Sequence, residues 1–127
     1  HLKHKFILCI EGNDVASNLK WVMSSKSVAV MPKPKFESWF MEATLIPNFH
    51  YIEIKDDYSD LNDKLEYYIE NLDKLKEISS NANNYVNQFR DKRDEKIISL
   101  LVMEKLFSLS GQKKPLINFF SKIEKNR

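Results

Sequence analysis

Small polar residues that follow the first apolar run are the strongest candidates for ligand binding in this chain. The run, KFILCI, breaks at Gly12 and leads into a segment with helical spacing, Val15–Met23. Helix N-termini have unpaired N–H groups and partial positive charge, so this junction predicts a bound phosphate. The candidate residues at the turn are Glu11, Gly12, Asn13, Asp14, Ser17 and Asn18.

Two further polar loops follow the next two predicted strands. Lys33 and Lys35 alternate with prolines in one loop and precede Glu37, while the other loop is Asp56–Asp60. A lysine there can face a diphosphate and Glu37 can accept hydrogen bonds from a ribose, or these groups can be ordinary solvated charges. Ligands of open parallel sheets bind beyond the carboxyl ends of the strands, so we expect the three loops to share one crevice. The first turn matches neither a Walker loop nor G-x-G-x-x-G.

Metal and triad chemistry find no support in the sequence. The three histidines are not spaced for a shared metal site, and none stands beside an evident nucleophile. Four aspartates between positions 56 and 63 resemble a cation cluster, but loops and helix starts favour acidic residues for capping. We therefore predict no metal site and no essential cofactor.

Strands and helices alternate in the first half of the chain. Apolar patterning predicts strands at Phe6–Ile10, Ser27–Met31 and His50–Lys55, with helices at Val15–Met23 and Phe36–Ala43. The first strand is continuously apolar, which predicts cover on both faces, whereas the third alternates and suits a position nearer the edge. Such alternation predicts right-handed crossovers and an α/β fold with a Rossmann-like parallel sheet.

Helical periodicity continues to the end of the chain. A helix starting at Ser59 or Asp60 is predicted, and the segments that follow it are Leu75–Phe89, Ile97–Leu109 ending at Gly111, and Leu116–Ile123. We predict a single domain over residues 1–127, with residues 1–58 forming the sheet part and residues 59–127 mainly helical.

Composition limits the kinds of protein to be considered. With 127 residues of which 43% are hydrophobic, the chain can bury one good core. Its net charge of +2 is spread along the chain, which is not typical of nucleic-acid binding. The single cysteine excludes an intrachain disulfide, and neither a signal peptide nor a membrane-spanning run is present in the sequence. We expect a cytoplasmic setting and, because the chain begins without Met, a fragment of a longer protein.

Several distinctive blocks follow one another in order between about Lys5 and Phe89. They are Glu11-Gly12 after a strand, SSKSV at Ser24–Val28, the aromatic-acidic segment, His50-Tyr51, and SDL at Ser59–Leu61. Together they resemble the C-terminal half of glycosyltransferase family 90. The family includes bacterial lipopolysaccharide-modifying transferases, fungal capsule xylosyltransferases and animal protein O-glucosyltransferases.

The resemblance implies the nucleotide-sugar-binding domain of a two-domain GT-B-type enzyme that needs no essential metal. The donor, a UDP-sugar, would lie between this domain and a missing N-terminal domain that binds a lipopolysaccharide or other glycan acceptor and supplies the base. Glu11–Asn18 would face the diphosphate, and Glu37 would match the family's acidic residue. Eukaryotic members have an arginine where this chain has Asn18, and the candidate substitutes are Lys20, Lys33 and Lys35. The parent would act in the cytoplasm at the inner face of the membrane, and the fragment alone would be inactive.

A second class of function remains open from the sequence. A non-catalytic, receiver-like α/β signalling module would have a phosphorylatable aspartate after a central strand and an acidic pair upstream. Asp56 and Asp57 follow the third predicted strand, but the upstream acidic pair is missing.

Overall fold

The computed structural model describes residues 3–112, and its contacts divide the chain into two compact units. The first unit ends at Phe89 and the second begins at Arg90. The first unit holds a parallel sheet with its covering helices, and the second holds one long helix.

Three short parallel strands form the sheet of the first unit. They are β1 (Phe6–Leu8), β2 (Val28–Met31) and β3 (Ile52–Glu53), arranged in the order β1-β2-β3. Phe6 lies opposite Val28, and Val30 lies opposite Ile52. The α/β class and the parallel sheet predicted from the sequence are therefore confirmed, and β3 lies at an edge as expected.

The central strand is β2, and all four of its residues are buried. The prediction that the first strand is covered on both faces is met only in part: Phe6 and Ile7 are partly buried, and each packs against a different core cluster. The strand pairs only with β2 and ends at Leu8, and the side chains of Leu8 and Ile10 are 44% and 48% exposed. Cys9, which follows the strand, is fully buried in the core.

The first helix is much shorter than predicted. Helix α1 spans Leu19–Met23, so the prediction of a helix from Val15 capped by Asn13 or Asp14 is wrong. Local hydrogen bonds explain the late start: an Asp14 carboxylate oxygen accepts the Val15 N–H at 2.7 Å, which favours a turn over a helix. Asn18 then donates its amide to the Leu8 carbonyl at 2.8 Å and ties the end of the turn to β1.

The predicted helix at Phe36–Ala43 is also wrong. This segment is irregular and leads into a single 3-10 turn at Glu42–Thr44, with Met41 in the left-handed region at φ 55°. The Tyr85 hydroxyl donates to the Phe40 carbonyl at 2.7 Å and occupies an acceptor that a helix would use. The aromatic spacing reflects packing of these side chains against a later helix rather than one face of a local helix.

Two helices cover the sheet, as the sequence predicts. Helix α2 spans Leu61–Glu70 and helix α3 spans Leu72–Asn87. Helix α3 packs against α1, α2 and β2. Its buried stripe repeats at helical spacing and consists of Leu75, Ile78, Ala82 and Val86.

The second unit contains helix α4, Lys92–Leu109. Asp91 caps its start by accepting the N–H groups of Arg93 and Asp94 at 2.8 and 3.3 Å. Gly111, with φ of 72°, follows its end, which confirms the predicted stop. The predicted segment Leu116–Ile123 lies outside the described residues. Among residues 3–112, no helix is both long and apolar enough to cross a bilayer.

Candidate functional site

A polar crevice of about 150 Å³ lies where β1, β2 and β3 end. The loops that follow the three strands all contribute to it, as the sequence predicts. Its lining mixes apolar residues with polar and charged ones: Cys9, Ile10, Glu11, Gly12, Ala16, Leu19, Met31, Pro32, Lys33, Pro34, Lys35, Phe36, Glu42, Asp56 and Tyr58.

The Glu11 side chain joins two of these loops. Its carboxylate accepts the Lys35 N–H at 3.0 Å and the Phe36 N–H at 3.3 Å. Hydrogen bonds from backbone N–H groups to a carboxylate are charge-assisted and therefore stronger than neutral ones. Glu11 thus holds the loop after β2 against the turn that contains Gly12, and this contact shapes the mouth of the crevice.

The third loop is connected through an exposed ion pair. The Lys35 ammonium lies 2.9 Å from an Asp56 carboxylate oxygen, and both side chains are 63% exposed. The hydrogen bond with Asp56 and its negative charge raise the pKa of Lys35. Exposed pairs of this kind contribute little to stability, so an arriving anion can compete with Asp56 for the lysine.

The sequence analysis missed Glu42, a buried acid beneath the crevice. Glu42 is 1% exposed, and its carboxylate accepts the Ser38 N–H at 2.6 Å, the Ser38 hydroxyl at 2.8 Å and the Lys20 ammonium at 3.1 Å. Burial by itself would raise the pKa of Glu42, but these hydrogen bonds outweigh it and lower the pKa. The available signal was an acid within an otherwise aromatic and apolar stretch, Trp39–Leu45.

Lys20 therefore has a structural partner. Besides the ion pair with Glu42, its ammonium lies 5.5 Å from the ring centre of Trp39 and 5.4 Å from that of Phe40. Such cation–π contacts add to the ion pair in holding the lysine on this aromatic surface.

The predicted site residues separate into two groups. Glu11, Gly12, Lys33 and Lys35 line the crevice. The others lie outside its lining: Asn13, Asp14, Ser17, Asn18, Lys20 and Glu37.

Gly12 has open space where a side chain would be. A Cβ built on Gly12 meets no atom within 4 Å. The glycine is therefore not required by packing in the described structure, and its backbone is open to approach by a ligand.

The pKa values of two other reactive side chains near the crevice are shifted. Burial raises the pKa of Cys9 to about 12, so its thiol stays protonated near neutral pH. Hydrogen bonds from Ser59 lower the pKa of Asp57. Within residues 3–112, no group of three or more His, Cys, Asp or Glu residues is placed to hold a metal ion.

The fold and the crevice define the class: a parallel α/β domain with a polar crevice beyond the carboxyl ends of its strands, where ligands of such sheets usually bind. Comparison with known proteins identifies the family. The chain belongs to glycosyl transferase family 90, whose model matches residues 1–100. The predicted resemblance is thus confirmed.

Two relatives show how similar the chain is to known proteins and how much of each protein it covers. The chain is 41% identical over 108 residues to "O-glucosyltransferase LpsA" of Dichelobacter nodosus, which covers 85% of this chain and 34% of that protein. It is 34% identical over 87 residues to "Uncharacterized protein 179R" of Invertebrate iridescent virus 6, covering 63% of this chain and 7% of that protein. The chain therefore spans about a third or less of each relative. No solved structure matches it.

Proposed function

We propose that this chain is the donor-binding part of a glycosyltransferase. The enzyme transfers a sugar, with glucose as the first candidate, from a UDP-sugar to a hydroxyl of lipopolysaccharide or another surface glycan. The observation that carries the proposal is the crevice at the carboxyl ends of the strands, lined by Gly12, Lys33 and Lys35 in a chain of family 90. The name of the bacterial relative, an O-glucosyltransferase, supports a glucosyl donor and a hydroxyl acceptor.

The reaction joins the acceptor oxygen to the anomeric carbon while the bond from that carbon to the diphosphate breaks. Negative charge develops on the departing diphosphate, and cations or N–H groups placed there stabilise the transition state. Lys33 and Lys35 are the cations of this crevice, and the exposed Gly12 backbone allows close approach of the phosphates. Lysine provides a point charge rather than the two-pronged hydrogen bonding of arginine.

The remaining predicted residues are assigned supporting roles in this proposal. Asn13, Asp14, Ser17 and Asn18 form the turn that presents Gly12, with Asn18 fastened to β1. Lys20 stabilises the base of the crevice through Glu42, and Glu37 is the exposed acid available to a ribose.

The small volume of the crevice supports a cleft with a second wall. Sites for drug-sized ligands usually occupy about 300–1,000 Å³, whereas this crevice measures about 150 Å³. It suits the diphosphate part of a nucleotide sugar. We infer a GT-B-type arrangement in which an N-terminal domain of the parent completes the cleft, binds the acceptor and supplies the base that removes the acceptor proton.

The parent is proposed to work in the cytoplasm, at the inner face of the membrane, where a lipid-linked glycan acceptor would be available. Association with that surface would be peripheral, and no nucleic-acid partner is proposed.

Titration of the 15N-labelled 127-residue chain with UDP and UDP-glucose, followed by amide NMR shifts, tests the donor assignment. We expect shifts at Glu11–Asn18 and Pro32–Glu37. Shifts confined to the helices after Ser59 would overturn it.

Matched variants make the titration sharper. Lys33→Gln should weaken UDP binding about tenfold, the usual effect of removing one charge-assisted hydrogen bond. Lys96→Gln, which removes an exposed lysine of α4, should leave the affinity unchanged. Equal losses in both variants would indicate a general charge effect and contradict the assignment.

The receiver-like alternative gains no support from the loop after β3. Asp56 follows an edge strand and pairs with Lys35, while Asp57 accepts the Ser59 N–H. Family membership favours the transferase. Labelling of either aspartate by a small phosphodonor would favour the alternative again.

A further inference from the structure

A second groove, of about 480 Å³, lies at the opposite end of the sheet from the crevice. Two of its residues come just before strands: Lys5 precedes β1, and Lys26 lies before β2. The other wall is one side of α3. That wall contributes Leu72, Leu75, Lys76, Ser79, Ser80, Asn83 and Asn84.

Hydrogen bonds join the two segments that carry these lysines. The Ser27 hydroxyl donates to the His4 carbonyl at 2.7 Å, and the Val28 N–H donates to the Lys5 carbonyl at 2.8 Å. Ser27 itself is buried, so the link is protected from water. The backbone at Lys5 and next to Lys26 is therefore held by the start of the sheet.

The two walls of the groove are also fastened to each other. The side-chain amide of Asn83 lies 3.0 Å from the Met23 carbonyl and 2.7 Å from the Ser25 carbonyl, so it ties α3 to the turn between α1 and β2. The groove is thus formed before any ligand arrives, which lowers the entropic cost of binding.

The charge in the groove is positive and largely uncompensated. Among residues 3–112, neither Lys5 nor Lys26 forms an ion pair, and only Lys76 has a carboxylate partner, Asp73 at 3.1 Å. Two ammonium groups on one rim attract a phosphate. The serine hydroxyls and the Asn84 amide on the other wall suit sugar hydroxyls, and Leu72, which is 41% exposed, offers an apolar surface to a sugar ring.

We propose that this groove binds a phosphorylated sugar, with the phosphate at Lys5 and Lys26 and the sugar ring along α3. Its volume of about 480 Å³ lies within the range of small-molecule sites, about 300–1,000 Å³. The proposal goes beyond donor binding, because the groove shares no residue with the crevice.

Amide NMR titration of the 127-residue chain with glucose 6-phosphate tests the proposal. Shifts are expected at Lys5, at Ser25–Ser27 and at Lys76–Asn84. Glucose and inorganic phosphate should each bind at least about tenfold more weakly, since each lacks half of the contacts. Equal affinity for inorganic phosphate, or shifts at Glu11–Asn18 and Pro32–Glu37 instead, would overturn the proposal.

Charge-matched variants and a membrane probe complete the test. Lys26→Gln should weaken glucose 6-phosphate binding about tenfold, whereas Lys96→Gln should not change it. An unchanged affinity in Lys26→Gln would overturn the assignment, as would binding to phosphatidylglycerol-containing phosphatidylcholine vesicles without any response to glucose 6-phosphate. UDP titration reports on the opposite end of the sheet, so the two proposals fail separately.

Discussion

Glu11 and Glu42 line the same crevice, and each carboxylate accepts two backbone or hydroxyl hydrogen bonds from the segment after β2. They differ in burial. Glu42 is 1% exposed and also pairs with Lys20, whereas Glu11 lies at the half-exposed mouth and joins two loops. Burial decides what each carboxylate does: Glu42 supports the fold, and Glu11 shapes the surface that a ligand meets.

The largest effect is expected from removing the buried acid. Glu42→Ala leaves the Ser38 N–H and the Lys20 ammonium without their acceptor, so we expect a loss of about 3 kcal/mol in the free energy of unfolding. Urea unfolding at pH 7 measures it. Glu66→Ala, an exposed glutamate on α2, is the control and should change stability by less than about 0.5 kcal/mol. Equal effects of the two substitutions would remove the contrast between buried and exposed acids.

A smaller effect should appear when the pH is lowered. The pKa of Glu42 is below its ordinary value of 4.5, so its contribution to stability is complete above that pH and is lost as the pH falls through the lowered pKa. The difference in unfolding free energy between the native chain and Glu42→Gln should therefore shrink as the pH falls below 4.5. A difference that stays constant from pH 7 to pH 3 would contradict this account.

Removal of the Glu11 carboxylate, which joins two loops at the mouth of the crevice, should affect binding more than folding. Glu11→Ala frees the N–H groups of Lys35 and Phe36, which water can then satisfy, so we expect a stability loss of only about 1 kcal/mol. Amide NMR should show changed shifts at both residues, and UDP affinity should fall about tenfold because the loops are no longer held together. Unchanged UDP affinity would indicate that the Glu11 hydrogen bonds do not shape the donor site.

The same contrast explains which features the sequence could reveal. The strand VAVM was predictable because its residues form a continuous apolar run, and the stripe of α3 because its burial follows the helical period. The Phe36–Ala43 helix was predicted wrongly because side chains bind the backbone groups that a helix would need. The Glu42 carboxylate accepts the Ser38 N–H, and the hydroxyl of Tyr85, far along the chain, donates to the Phe40 carbonyl. The crevice was predictable as three loops at one sheet end, but Glu42 was not, since its role depends on Lys20, far away in the chain.

Gly12 gives the smallest expected effect on folding and the clearest separation of fold from site. Its φ is not in the left-handed region and a Cβ would meet no atom within 4 Å, so Gly12→Ala should change the free energy of unfolding by less than about 0.5 kcal/mol. If the diphosphate approaches this backbone, the added methyl group occupies its space, and UDP affinity should fall about tenfold in calorimetric titration. Unchanged affinity would mean that the phosphates lie along Lys33 and Lys35 instead, on the side of the crevice that the Glu11 carboxylate holds in place.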